Sequence, residues 1–193
     1  MAVRRLHQVH AAGVVVVDTP VPDGARWWVP DSGNAPPDGD ALVASGGGFA
    51  LAVLTADCAS VALGSSEGVH GAAHVGWRGL AAGILARTID TMRDLGARDV
   101  VAGLGPCIGP CCYEFSPSDL DALVESGGPG LRGQTTWGRP SLDLPAAVRG
   151  QLTRSGATLA ADADTCTVCT PGYFSHRGRG DEGRQALLVW RHP

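Results

Sequence analysis

Cys58 and His74 are the two residues whose types and spacing most directly suggest chemistry. Cys58 lies between apolar runs at residues 49–54 and 61–63, and His74 ends a third run at residues 69–73. The turn at residues 64–68 is short enough for a β-hairpin, which brings the two side chains close together. A thiolate beside an imidazole is either a nucleophile with its base or a pair of metal ligands, and these residues alone leave both interpretations open.

The segments around this pair alternate between strand and helix patterns. Besides the hairpin, we predict strands at residues 3–9, 14–17, 100–104 and 186–190. One helix is predicted at residues 80–95, a second after an N-cap at Ser118, and a third beginning at Asp143 or Leu144. The sequence pattern by itself therefore supports a mixed α and β fold.

The composition narrows the class of protein. A chain of 193 residues with 44% hydrophobic content is expected to form one domain, residues 1–193, that buries a core without disulfides. The net charge of −4 and the lack of a basic run argue against nucleic acid as a partner. No signal-like segment or membrane-length apolar run occurs, so we expect no membrane partner and a cytoplasmic location. Cysteines in that compartment are expected to be mostly reduced.

Several sequence blocks, taken together, carry a family resemblance. They are QVH at 8–10, TADC at 55–58, HVGWRGL at 74–80, GPCIGPCCYE at 105–114, and the loop from Phe174-Ser175 to Gly183-Arg184. In this order they resemble the family variously called laccase-domain proteins, multicopper polyphenol oxidases, peptidoglycan editing factors and purine nucleoside phosphorylases. The resemblance covers almost the whole chain.

The resemblance implies an α+β fold in which mixed β-sheets form a sandwich with helices packed outside. It also implies a zinc enzyme that phosphorolyses adenosine, inosine, guanosine and methylthioadenosine, with adenosine deamination as a further activity. The family's metal ligands correspond to His10, Cys58 and His74. Two imidazoles and one thiolate suit a tetrahedral zinc with one open position. Copper is disfavoured because the chain has six histidines and no His-x-His pair.

Further residues have weaker assignments. Asp57 is a candidate acid, base or partner of a ligand histidine, although neighbouring strand residues point to opposite faces. Arg78 and Arg184 are candidate phosphate ligands, and a solvated arginine is the alternative for each. Asp40 also matches a family block, with a structural role as its alternative.

The remaining cysteines give weaker evidence of a function. Cys166 and Cys169 have the C-x2-C spacing of half a zinc site, but no second C-x2-C pair completes it. Cys107, Cys111 and Cys112 can join them only through the fold. We therefore expect these five cysteines to have structural, buried roles.

Three alternative functions remain open beside this interpretation. The first is amide hydrolysis by Cys58 and His74, as in peptidoglycan precursor editing. The second is polyphenol oxidation with copper, and the third is a non-catalytic zinc protein.

The start of the chain departs from the family pattern. Family members carry several dozen residues before the QVH block, whereas His10 lies close to Met1 here. We expect any wall of the nucleoside site from that segment to be absent, or to be supplied across a homodimer interface that includes Trp27 and Trp28.

Overall fold

Two β-sheets of mixed strand direction form a sandwich, and helices cover the outer face of the larger sheet. The computed structural model describes residues 2–17 and 36–191, so Trp27 and Trp28 lie outside the described residues. The strands are β1 (Ala2–Arg5), β2 (Val14–Val16), β3 (Ala41–Ala44), β4 (Phe49–Thr55), β5 (Ala59–Ser65), β6 (His70–Val75), β7 (Val100–Leu104), β8 (Arg132–Gln134), β9 (Pro140–Leu142), β10 (Thr158–Asp162) and β11 (Gln185–Trp190). The helices are α1 (Trp77–Ala81), α2 (Ile84–Asp94), α3 (Pro117–Gly127), α4 (Leu144–Arg154) and α5 (His176–Arg179).

The larger sheet has six strands in the order β10-β7-β5-β6-β3-β2, and the smaller has the order β1-β4-β11. Parallel pairs lie at both ends of the larger sheet, between β10 and β7 and between β2 and β3, while its inner pairs are antiparallel. A separate hairpin joins β8 to β9. The expected α+β sandwich is confirmed.

Strands β3 and β6 of the six-stranded sheet are buried on both faces, which explains why they lack an alternating polar pattern. In β3, Ala41 and Val43 belong to the core beneath the helices, whereas Leu42 and Ala44 face the smaller sheet. All residues of β3 and β6 are buried. A strand covered on both faces is expected to be apolar throughout.

The predicted hairpin is confirmed as the antiparallel pair β5 and β6, in which Ser60 lies opposite His74. Its turn includes Gly68 at φ 89°, a conformation that glycine adopts without steric cost. The helix predicted at residues 80–95 is instead two helices, α1 and α2. Gly83, at φ 79°, lies between them and interrupts the helical backbone.

The N-caps predicted for the two other helices can be compared with those in the structure. Asp143 is the N-cap of α4, and its carboxylate accepts a hydrogen bond of 2.8 Å from the Ala146 N–H. The N-cap of α3 is Ser116 and the predicted Ser118 is wrong, because Pro117 already occupies the first helical position. No helix in the described ranges combines the length and apolar character needed to cross a membrane.

The two N-caps give a matched test of capping. Asp143 bonds a helix N–H, whereas Ser116 makes no such bond and its hydroxyl lies 2.9 Å from that of Ser118. We expect Asp143→Ala to lower the free energy of unfolding by about 1 kcal/mol. Ser116→Ala is the control and is expected to have a smaller effect. Urea denaturation of the two variants measures the difference, and equal losses would contradict the capping role of Asp143.

Candidate metal centre and adjoining cleft

The candidate centre lies where the chain crosses between the two sheets. His10 lies in the connection from β1 of the smaller sheet to β2 of the larger one. Cys58 lies in the connection from β4 to β5, which makes the same crossing, directly before β5 rather than within a strand. His74 lies within β6, one residue before its end. The fold therefore brings together three residues that are distant in sequence.

The three side chains predicted as ligands meet in one cluster. The potential ligand atoms of His10, Cys58 and His74 all lie within 4.8 Å of one another. The two imidazole rings meet edge to face, with 4.8 Å between their centroids. His74 is buried, Cys58 is half-buried and His10 is exposed to the cleft. Two imidazoles and one thiolate are suitable donors for a transition-metal ion that keeps a position open for another ligand.

Asp40 fixes the geometry of this cluster. Its carboxylate, which is fully buried, lies 2.8 Å from Nδ1 of His74 and orients the ring. The same carboxylate accepts hydrogen bonds from the backbone N–H groups of His10, at 3.0 Å, and Ala11, at 2.7 Å. A carboxylate behind a histidine ligand sets the tautomer and the orientation of the ring. Asp40 thus supports both histidines, one through its ring and one through its backbone.

Gln8 and Gly76, which belong to the QVH and HVGWRGL blocks, each have a structural role beside the cluster. The Gln8 amide pairs with both backbone groups of Leu54 at 2.8 Å, which fastens the His10 connection to the end of β4. A Cβ atom at Gly76 would lie 3.2 Å from the His10 ring and 3.3 Å from the Cys58 sulfur. Glycine therefore leaves the space that the cluster occupies.

The charges within the cluster are strongly coupled. Burial tends to raise the pKa of Cys58, but hydrogen bonds with His10 and His74 lower it to about 7. Burial tends to lower the pKa of His74, yet its hydrogen bonds with Asp40 and Cys58 raise it to about 9. Burial also opposes ionisation of Asp40, but the hydrogen bonds from the His74 ring and from the Ala11 and His10 N–H groups, together with the charge of His74, lower its pKa. Without a metal, the cluster favours a thiolate beside an imidazolium, and a metal ion would displace the imidazolium proton.

A cleft of about 970 Å³ opens beside the cluster. The proposed phosphate ligands Arg78 and Arg184 both line it. The exposed Arg78 guanidinium lies over the ring of Trp77, 4.4 Å from its centroid. Arg184 is more constrained, because its Nη1 donates to the backbone carbonyls of residues 181, 182 and 183. Arg78 therefore has the freer guanidinium of the two.

Asp57 adjoins Cys58 but is committed to other partners. Its carboxylate accepts hydrogen bonds from the Thr167 hydroxyl, at 2.6 Å, and from the Arg177 N–H, at 2.7 Å. Its φ of 93° is unusual for a residue with a side chain, and these two bonds hold the turn in that conformation. This geometry makes Asp57 an anchor for the loop at residues 174–184.

Arg177 is a cleft residue that our sequence analysis did not single out. Its guanidinium lies over the Tyr113 ring, 4.9 Å from the centroid, and donates a 3.0 Å hydrogen bond to the Glu114 carbonyl. Tyr113 and Arg177 both line the cleft. The basic composition of residues 176–184 is the sequence signal for this region, but it does not distinguish Arg177 from its neighbours.

The α+β sandwich and the His10-Cys58-His74 cluster define a candidate metal-binding protein with an open cleft. The chain belongs to the family described as multi-copper polyphenol oxidoreductase laccase, whose profile matches residues 1–192. A purine nucleoside phosphorylase of Streptomyces coelicolor is 40% identical over 189 residues, which span 96% of this chain and 73% of the relative. One from Mycobacterium tuberculosis is 37% identical over 188 residues, spanning 96% and 70%.

Solved structures agree with this family assignment. A crystal structure of a Neisseria meningitidis protein has a TM-score of 0.80 at 32% identity and covers 98% of this chain and 75% of its own. The YlmD protein of Geobacillus stearothermophilus has a TM-score of 0.80 at 31% identity, with coverage of 99% and 74%. The fold of the present chain is thus shared with proteins of known structure.

The Asp40 contacts lead to a prediction about metal affinity. We expect Asp40→Ala to weaken metal binding at the cluster by about 10–100-fold, because the His74 ring and two N–H groups lose their acceptor. Titration with a metal ion, in variants shown to be folded by circular dichroism, measures the change. Asp38→Ala is the matched control, since Asp38 is exposed and pairs with His7 instead. Equal affinities of the folded Asp40→Ala protein and the wild type would contradict this role.

Proposed function

We propose that the protein is a zinc-dependent purine nucleoside phosphorylase acting on adenosine, inosine, guanosine or methylthioadenosine. The observation that carries this proposal is the position of the His10-Cys58-His74 cluster in a cleft that is also lined by arginines. The relatives named purine nucleoside phosphorylase support the same activity. The substrates are then a nucleoside and inorganic phosphate.

The donor set favours zinc as the metal. His10, Cys58 and His74 would hold it, with Asp40 orienting His74. When bound, zinc would supply Lewis acidity at an open coordination position beside the cleft. This cluster has too few imidazoles for a multicopper centre, although its two histidines and one cysteine are also ligands that copper accepts. The metal content of the purified protein decides between the two ions.

The arginines provide the phosphate site in this proposal. Arg78 has an exposed guanidinium, whose forked donors match two phosphate oxygens. In the reaction, a phosphate oxygen bonds to the anomeric carbon of the ribose as the bond from that carbon to the purine nitrogen breaks. The bonding electrons pass to the purine, which takes up a proton, so the products are free base and ribose 1-phosphate. Holding phosphate and nucleoside in line lowers the barrier by removing the entropy cost of their encounter.

Aromatic side chains provide a place for the purine. Trp77 and Tyr113 both line the cleft, and each meets Phe115 edge to face at 5.4 Å between centroids. These contacts hold the two rings in fixed orientations. Burial raises the pKa of Tyr113 to about 12, so its hydroxyl keeps its proton at neutral pH. Tyr113 is accordingly our candidate hydrogen-bond donor to the leaving base.

A second candidate function is amide hydrolysis in which Cys58 is the nucleophile and His74 the base. The contact between the Cys58 thiol and the His74 ring favours it, because a nucleophile and its base must lie within hydrogen-bonding reach. Asp40 would then orient the base as the third member of a triad. This reaction needs no metal, so removal of the metal distinguishes it from phosphorolysis.

The reaction itself provides the main test. Incubation with adenosine or inosine is expected to release free base and ribose 1-phosphate only when phosphate is present. Treatment with a chelator, or Cys58→Ser, is expected to abolish the reaction, and Cys58→Ser is expected to remove one metal ion per chain. Base release without phosphate would indicate hydrolysis, and ammonia release from adenosine would indicate deamination. Turnover that survives complete removal of the metal would contradict the proposal.

A second test concerns the phosphate site. We expect Arg78→Ala to raise the KM for phosphate by about tenfold or more, because a charged hydrogen bond contributes roughly 1.5–3 kcal/mol. The KM for the nucleoside is expected to change less. Arg87→Ala is the matched control, since Arg87 is an exposed arginine of α2 that does not line the cleft. Equal phosphate KM values in the two variants would remove Arg78 from the phosphate site.

A further inference from the structure

Four cysteines outside the candidate metal centre form a second cluster. The sulfur atoms of Cys111, Cys112, Cys166 and Cys169 all lie within 4.8 Å of one another. The Cys169 sulfur is 3.3 Å from that of Cys112 and 3.6 Å from that of Cys111. The half-site at residues 166–169 is thus completed through the fold by the neighbouring pair at 111–112. We expected all five cysteines outside the metal centre to be buried. Cys107 is buried, whereas these four are half-buried or exposed, and their two segments are far apart in sequence.

We propose that these four cysteines bind a structural zinc ion through four thiolates. Four ligands at about 2.3 Å from a tetrahedral zinc would place their sulfur atoms roughly 3.8 Å apart. The two separations of 3.3 and 3.6 Å, in a cluster whose sulfur atoms all lie within 4.8 Å of one another, are compatible with such a site, whereas a disulfide requires about 2.05 Å. A four-cysteine site leaves no open position for substrate. It is therefore a closed structural site, unlike the three-ligand centre in the cleft, which keeps one position open.

The backbone around the four cysteines is arranged to hold them in place. The Gly109 N–H donates a 3.3 Å hydrogen bond to the Cys166 sulfur. A Cβ atom at Gly109 would lie 3.3 Å from both the Cys111 sulfur and the Cys166 Cβ, so glycine allows the two segments to approach. The segments also pair through their backbones. Cys107 N–H donates to the Thr165 carbonyl and Thr167 N–H donates to the Cys107 carbonyl, each at 3.1 Å.

Arg179 holds the backbone of the second pair of cysteines. Its Nη1 donates a 3.0 Å hydrogen bond to the Val168 carbonyl, and its Nε pairs with the Asp181 carboxylate at 3.0 Å. One Zn²⁺ bound by four thiolates would form a site of charge −2.

The cluster would stabilise one wall of the cleft. Tyr113 directly follows Cys112, and Thr167 lies between Cys166 and Cys169. Thr167 in turn bonds the Asp57 carboxylate, which anchors the loop that carries Arg177. A zinc ion joining residues 111–112 to residues 166–169 thus fixes Tyr113 and the Asp57 turn relative to each other. Its role is structural, because none of its ligands lines the cleft.

Zinc content in matched variants tests this proposal. Protein reconstituted with zinc and freed of excess ion is expected to hold about two zinc ions per chain in the wild type. The double variant Cys112→Ala/Cys169→Ala and the variant Cys58→Ala are each expected to hold one. Cys107→Ala is the control, because Cys107 is a buried cysteine of the same segment that lies outside the cluster, and it is expected to hold two. Loss of one zinc ion in each of these two variants, with none lost in Cys107→Ala, identifies two separate sites independently of any enzymatic activity.

A second measurement covers the case in which the double variant does not fold. In the Cys58→Ala protein, which retains the cluster, a strong chelator is expected to expose four thiols to a thiol reagent and to lower the melting temperature. Cobalt substituted into the same protein is expected to show the absorption of a tetrathiolate site. Unchanged zinc content in the folded double variant would overturn the proposal. So would a Cys58→Ala protein that holds no zinc, or one whose four cysteines are found by mass spectrometry under non-reducing conditions to be paired as disulfides.

Discussion

The geometry of the candidate centre depends on one buried carboxylate. Asp40 is fully buried, and it accepts hydrogen bonds from the His74 ring and from the N–H groups of His10 and Ala11. Its own backbone carbonyl accepts the His74 N–H at 2.7 Å, so it joins β6 to the connection between β1 and β2. A buried charge is tolerated only when its hydrogen bonds are satisfied. Asp40 therefore restricts the positions of these donors together, and the two candidate ligand histidines are oriented by the protein itself.

Much of this arrangement follows from sequence patterns of short range. The turn at residues 64–68 predicts the hairpin of β5 and β6, because both strands and their connection lie within one short segment. Asp143 as an N-cap follows from the preference of aspartate for that position. Cys58 and His74 meet as the hairpin predicts. The inclusion of His10 depended on the resemblance of the QVH block to a family, since no local pattern connects it to the other two.

Features that depend on distant contacts were not predictable in this way. The apolar spacing of residues 80–95 fits one continuous helix as well as two helices separated by a left-handed residue. The break at Gly83 therefore could not be predicted from that spacing. The strands β8 and β10 lack a strong apolar pattern because most of their residues are exposed, and β9 has only three residues. The four-cysteine cluster combines an adjacent pair with a C-x2-C pair, and these are brought together by contacts between distant segments, such as the backbone pairing of Cys107 with Cys166. The roles of Asp57 and Arg184 likewise depend on partners that spacing does not reveal.

The positions of the three candidate ligands relative to the two sheets have a mechanical consequence. His10 and Cys58 lie on chain segments that cross from one sheet to the other, while His74 belongs to the larger sheet alone. Any sliding of one sheet over the other therefore alters the separations among the three side chains. An ion held by all three would resist that sliding and would stiffen the sandwich against shear.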